Sequence, residues 1–169
     1  VTLSLHYWPD PILKVRCAPV PEVTDEIRQL ARDMLDLMYA SDGVGLAAPQ
    51  VGRALRVFVL DCWWPQTGQF DKGMVFINPK VTPSKGTVRS REGCLSLPEI
   101  REYVERGKTC QVEATDIHGH QFTLQAEGIL SICIQHENDH LDGITMIDRV
   151  GPMTRRLLKK VLPSKPPPR

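Results

Sequence analysis

The sequence predicts an α+β fold: a compact single domain of short, mostly antiparallel strands around a buried central helix carrying HExxH. Three observations lead there. An amphipathic helical stretch comes first, a series of short strand-like runs fills the middle, and a helical stretch apolar around most of its circumference follows them. Helix, strands and helix in that order do not alternate as a parallel α/β domain does.

From Asp25 to Ala40, residues Ile27, Leu30, Ala31, Met34, Leu35, Leu37 and Met38 recur at helical spacing; Thr24 stands as an N-cap and Gly43 as a stop. The expected strands are Arg56 to Leu60, Met74 to Ile77, Thr87 to Arg89, Glu102 to Arg106, Gln111 to Thr115 and Gln121 to Leu124, all β-branched or alternating runs. His118-Gly119 reads as the turn between the last two. From Ala126 to about Leu141 the helical pattern returns, with Ile129, Leu130, Ile132, Cys133, Ile134 and His136 covering most of the circumference, so this helix is expected to pack on several sides before Gly143 ends it. Thr154 to Val161 has room for two helical turns with Arg155, Arg156, Lys159 and Lys160 as a basic face. Residues 1–162 show no repeat or linker and read as one catalytic unit, and residues 163–169, rich in proline, as a flexible tail.

A chain of 169 residues with 41% hydrophobic and 24% charged side chains buries about two-thirds of its unfolded surface. Lys+Arg 21 against Asp+Glu 20 gives no bulk charge that seeks nucleic acid, so no direct DNA binding is expected. No apolar run nears the roughly 20 residues that span a bilayer, and Val1 to Asp10 does not look like a secretory leader, so no membrane association is expected. Cys17, Cys62, Cys94, Cys110 and Cys133 form an odd set with no CxxC pair, which points to free thiols in a reducing cytoplasm.

The sharpest chemical signal is His136-Glu137-Asn138-Asp139-His140. Residues four apart lie one helical turn above each other, so both imidazoles converge on one metal ion, with Glu137 beside it to handle the proton of a bound water. Two ligands hold a catalytic ion poorly, and after His140 there is no His or Glu to add. Asp142 and Asp148 are badly placed, at or beyond the helix stop, so the third ligand is expected upstream. Cys133 shares the histidine face but starts a turn too far away, and reads as core or pocket wall. Spacing alone does not choose between Cys94, Cys17, Cys62 and Cys110. His118 and His120 read as solvated turn residues, Met34/Met38 and Trp63/Trp64 as core and loop, and Asp139 as a hydrogen-bond acceptor supporting a metal ligand.

Gly43-Val44-Gly45-Leu46-Ala47-Ala48-Pro49-Gln50, Glu92-Gly93-Cys94-Leu95-Ser96 and Gln135-His136-Glu137-Asn138-Asp139-His140-Leu141-Asp142-Gly143 occur in the order of the motifs of one family, the peptide deformylases. With Pro9-Asp10-Pro11-Ile12-Leu13 near the start, the chain resembles that family from about Tyr7 to about Arg149. The resemblance implies a metallohydrolase that removes the N-formyl group from the initiator methionine of nascent polypeptides and releases formate, by attack of a metal-bound hydroxide. It implies Cys94, His136 and His140 as ligands of one divalent ion, ferrous iron in the cell, with zinc, nickel or cobalt in preparations. It implies Glu137 as general acid/base, Gln50 and the Leu95 N–H as oxyanion donors, Gly45 as a main-chain contact, and Val44, Ile129, Ile132 and Cys133 as walls of the methionine pocket. The basic C-terminal segment is further expected to dwell near ribosomal RNA.

Two positions depart from the family. Asn138 stands where an apolar residue is usual, and Glu99 where glycine is expected. Two rival readings remain at this level: a zinc endopeptidase, which the missing downstream His or Glu disfavours, and a structural Cys/His zinc domain, which needs a fourth ligand.

Overall fold

A computed structural model describes residues 2–162; the expected tail at 163–169 lies outside the described residues. The chain runs α1 (Asp25–Ala40), β1 (Gly45–Ala47), β2 (Val57–Leu60), α2 (Trp64–Thr67), β3 (Met74–Pro83), β4 (Thr87–Cys94), β5 (Leu97–Gly107), β6 (Thr109–Thr115), β7 (Gln121–Glu127), α3 (Gly128–Leu141), α4 (Met146–Arg149) and α5 (Pro152–Val161). Five strands form an antiparallel sheet in the order β1-β2-β3-β6-β7, and β4 and β5 form a separate antiparallel hairpin.

The sheet is covered on both sides, and β2 records it. All four of its residues are buried. Because alternate side chains leave opposite faces, Val57 and Val59 join the cluster of Leu30, Met34 and Met38 from α1, while Phe58 and Leu60 join that of Cys133, Ile134 and Leu141 from α3. Phe58 stacks on Phe76 with centroids 4.7 Å apart. The α3 helix touches every strand of the sheet and also β5, so the helix bearing the histidines is the packed-in element its all-round apolar pattern predicts. Thr24 caps α1, its hydroxyl accepting from the Ile27 amide at 3.3 Å.

Several boundaries move. The run expected to stop at Ile77 continues to Pro83, because Asn78-Pro79 is absorbed as a bulge: the register shifts between Ile77 and Lys80, and the Asn78 carboxamide pairs with both the N–H and the carbonyl of Val20, at 2.7 and 2.8 Å. The hairpin strands are longer than the expected Thr87 to Arg89 and Glu102 to Arg106: the first continues to Cys94 and the second begins at Leu97, because their charged residues blur the alternation. Ala126 lies within β7, which runs to Glu127, instead of opening the helix, and Gly128, at φ 62°, turns the chain into α3. The C-terminal helix starts at Pro152, before Thr154, and Arg155 is not part of a free basic face: it donates to the carbonyls of Ile147 and Asp148 at 3.1 and 2.6 Å, closing the end of α4. Arg156, Lys159 and Lys160 are exposed, as are Met153, Leu157 and Val161.

Candidate active site

His136 and His140 leave α3 one turn apart, with ring centroids separated by 5.2 Å. Opposite them, β4 ends at Cys94 where the hairpin register breaks, and the irregular backbone turns the thiol toward the helix. Cys94 Sγ lies 3.5 Å from His140 Nε2. One sulfur and two nitrogens lie within 4.8 Å of one another, which forms a single divalent-metal site. The donors suit the group: a thiolate with two imidazoles is a transition-metal set, and among the described residues no fourth protein donor closes it. That removes the structural-zinc reading. Cys17, Cys62, Cys110 and Cys133 are also free thiols but lie outside this group.

The two histidines differ at the second ring nitrogen: His136 Nδ1 meets a carboxylate, whereas His140 Nδ1 is buried without a hydrogen-bond partner among the described residues. Burial alone would raise the Glu92 carboxyl, but hydrogen bonds from Arg106 and His136 overcome it and hold Glu92 at about 2. The ionised carboxylate only accepts, so His136 Nδ1 donates to Glu92 Oε1 at 2.8 Å, leaving Nε2 to face the site. Arg106 donates to both Glu92 oxygens at 2.8 and 2.9 Å and to Asp139 Oδ2 at 2.6 Å, and Arg149 donates to both Asp139 oxygens at 2.8 and 3.0 Å. Asp139 is a hydrogen-bond acceptor in support of the metal site, as its place in the motif predicts, but it accepts from Arg106 and Arg149 and not from a metal ligand. Glu92 does accept from one, and Asp139 acts through Arg106. Glu92 belongs to the motif that contains Cys94, and sequence reasoning assigns it no role; a carboxylate two residues before a cysteine ligand is the available signal.

The Glu92 value sets an acid limit. With the folded value at about 2 below an ordinary 4.5, its contribution is complete above about pH 4.5 and is lost as pH falls from there toward 2. The Tm should drop across that window, and Glu92→Gln should flatten that part of the curve; an unchanged slope would contradict the network.

Glu137 is buried beside the donors, and Oε1 has no hydrogen-bond partner among the described residues. Burial, reinforced by the Glu92 carboxylate, pushes its carboxyl up to about 7. A Cβ on Gly45 would collide with the Glu137 carboxylate, so glycine is required there by close approach. Gln50, buried in a short turn after β1, accepts from the Ala47 amide at 2.9 Å and turns its Nε2 toward Ser96 Oγ at 3.0 Å and Cys94 Sγ at 3.5 Å. The main chain continues from Cys94 through Leu95, which lines the same cavity.

That cavity has a volume of about 1680 Å³ and reaches Cys94, His136, Glu137 and Gln50 at its floor. Val44, Gly45, Ile129, Ile132 and Cys133 all line it. Ile129 is exposed at the mouth, while Cys133 is nearly closed off and also packs in the core, combining the two roles open to it from sequence. His118 and His120 are exposed on the β6–β7 turn, away from this group. Met34 and Met38 are core, and Trp64, expected in a loop, opens the short helix α2.

Both departures have structural counterparts. Glu99 has φ 67°, the left-handed region that glycine adopts freely, so its backbone meets the condition that makes glycine the expected residue. Asn138 Oδ1 is buried with no hydrogen-bond partner among the described residues, so this polar side chain brings an unmet desolvation cost to α3. Asn138→Leu should therefore raise stability by about 1 kcal/mol in urea unfolding; a loss of that size would show that the amide is satisfied.

An α+β fold whose central helix holds HExxH beside a cysteine donor defines a metal-dependent hydrolase. The polypeptide deformylase family profile matches residues 2–156. A peptide deformylase of Acinetobacter baumannii (strain SDF) is 46% identical over 159 residues, covering 94% of this chain and 88% of its own. One from Buchnera aphidicola is 40% identical over 161 residues, covering 95% and 94%. The crystal structure of a peptide deformylase from Legionella pneumophila superposes with TM-score 0.86 at 35% identity, over 98% of this chain and 100% of that one. One from Synechococcus elongatus, in complex with actinonin, gives 0.87 at 38%, over 97% and 92%. This chain belongs to the peptide deformylase family.

Proposed function

We propose that this chain hydrolyses the formyl amide at the initiator methionine of nascent polypeptides, releasing formate and a free amino terminus. The observation that carries this reading is the Cys94, His136 and His140 donor set with the buried Glu137 carboxylate, whose Oε1 has no hydrogen-bond partner among the described residues, beside the cavity. A divalent ion held by those three residues supplies Lewis acidity and brings water toward ionisation near neutral pH. Glu137 accepts the proton of the attacking water and returns it to the departing methionine nitrogen, as the C–O bond forms and the C–N bond breaks. Gln50 Nε2 and the Leu95 N–H donate to the oxyanion that develops on the formyl oxygen. Val44, Ile129, Ile132 and Cys133 hold the unbranched methionine side chain, and Gly45 admits the peptide main chain.

Ferrous iron is the ion we assign in the cell, with zinc, nickel or cobalt able to occupy the same donors in a preparation. Residues 1–162 serve as the catalytic unit. The setting we infer is the reducing cytoplasm, in keeping with five free cysteines; no helix among the described residues is long and apolar enough to cross a membrane. Arg156, Lys159 and Lys160, exposed on α5, provide a basic face for ribosomal RNA. Co-sedimentation with ribosomes should weaken steeply with salt and with Lys159→Glu/Lys160→Glu; salt-insensitive or absent binding removes this partner.

Formate release from formyl-Met-Ala-Ser, with anaerobically prepared enzyme, tests the main reading. One formate per new amino terminus is expected. Cleavage of internal bonds in an unformylated peptide, with no formate, would assign the site to an endopeptidase.

A further inference from the structure

Away from the donors, the cavity has a second constructed wall at α2. Asp61 is fully buried and saturated: Oδ1 accepts from the amides of Trp63 and Trp64 at 3.1 and 3.2 Å, and Oδ2 accepts from the Tyr39 hydroxyl at 2.7 Å. Its own N–H donates to the Val44 carbonyl at 2.9 Å. The Trp64 indole N–H donates to the Gly43 carbonyl at 2.9 Å, so the wall is tied to the segment that lines the cavity. The ring meets Tyr39 edge-on at 6.3 Å and Phe70 at 5.5 Å, and Tyr39 and Phe70 lie 4.5 Å apart. With its N–H already used, the Trp64 indole, together with Pro65, offers the cavity an apolar surface held in place before any ligand arrives.

The position of this wall along the cavity follows from the chain. Gly45 abuts Glu137, and Gly43, to which Trp64 is tied, lies two residues before it. An extended peptide advances about 3.3 Å per residue. A peptide lying along this segment with its methionine at Gly45 brings its third residue to the level of Gly43 and Trp64. The cavity, about 1680 Å³, exceeds the roughly 300–1,000 Å³ of an ordinary small-molecule site and has room for those further residues.

We propose that Trp64 and Pro65 form a specificity subsite that favours a bulky apolar or aromatic side chain at the third residue of the formylated peptide. This inference rests on the deformylase reading of the same cavity.

The test compares kcat/KM for formyl-Met-Ala-Ser, formyl-Met-Ala-Phe and formyl-Met-Phe-Ser in wild type, Trp64→Ala and Trp64→Phe. Wild type should favour phenylalanine over serine at the third position by about three- to tenfold, the size of one aromatic contact, mainly through KM. Trp64→Ala should bring that ratio to about one, and Trp64→Phe should restore most of it. Ratios taken within each variant cancel any loss of folded or metal-loaded protein, and the wild-type ratio stands without any variant. A wild-type ratio of one, a ratio unchanged in Trp64→Ala, or a preference confined to the second residue overturns the subsite. Formate release without third-residue preference contradicts this inference alone; no release from any of the three peptides contradicts the deformylase reading and the subsite with it.

Discussion

Replacing Glu137 with alanine should lower kcat/KM for formyl-Met-Ala-Ser by about 10²- to 10⁴-fold, the usual contribution of a positioned general acid/base, while one metal ion per chain is retained. The two halves of this result have separate causes. Metal retention follows because the donor group is Cys94, His136 and His140, and Glu137 is not among them. The rate loss follows because Glu137 is the buried carboxylate beside those donors, with an oxygen that no described residue engages and a carboxyl that burial pushes up to about 7. Such a group exchanges a proton at neutral pH, whereas an ordinary carboxylate stays ionised. Glu137→Ala also removes a buried ionisable group, so its Tm should equal or exceed that of wild type. Formate release, metal analysis and thermal melting together check the prediction. Full activity in the variant would remove Glu137 from the mechanism, and loss of metal would make it a ligand.

Arg106→Met should be the most destabilising substitution near the site. Arg106 is buried and joins two carboxylates: it donates to both oxygens of Glu92 and to Asp139 Oδ2. Without the guanidinium, the two buried carboxylates lose the cation they share, leaving His136 bonded to Glu92 and Arg149 bonded to Asp139. Breaking such a buried arrangement from one side costs about 3–5 kcal/mol. The effect reaches the metal, because Glu92 orients His136; weakening that support should lower metal affinity by about 10- to 100-fold. Urea unfolding of metal-free protein isolates the first effect and competition with a chelator the second. A loss under about 1 kcal/mol, with affinity unchanged, would show that the network is not what holds β4, β5 and α3 together.

The parts of the site legible in the sequence are those contained within one element. His136, Glu137 and His140 sit on a single helix, so spacing alone places them on one face. Cys94 comes from a distant hairpin, and only the resemblance picked it out; the fold supplies the reason, since the register break after Gly93 turns its thiol toward α3. The pairing of Glu92 with Arg106 carries no such signal, because their ion pair joins β4 to β5 and the charged residues of those strands conceal how far the hairpin extends. The bulge at Asn78 shows the same limit, since its pairing with Val20 depends on chain far away in sequence. Trp64 reads as a loop residue in the sequence because its neighbours Tyr39, Asp61 and Phe70 come together only in the fold.

The most direct measurement is formate release as metal-free protein is titrated anaerobically with ferrous iron. Activity should rise linearly and saturate at one ion per chain, and Cys94→Ala should fail to reach that plateau at the same added iron. Full activity in protein verified as metal-free, or a Cys94→Ala titration indistinguishable from wild type, would contradict the account.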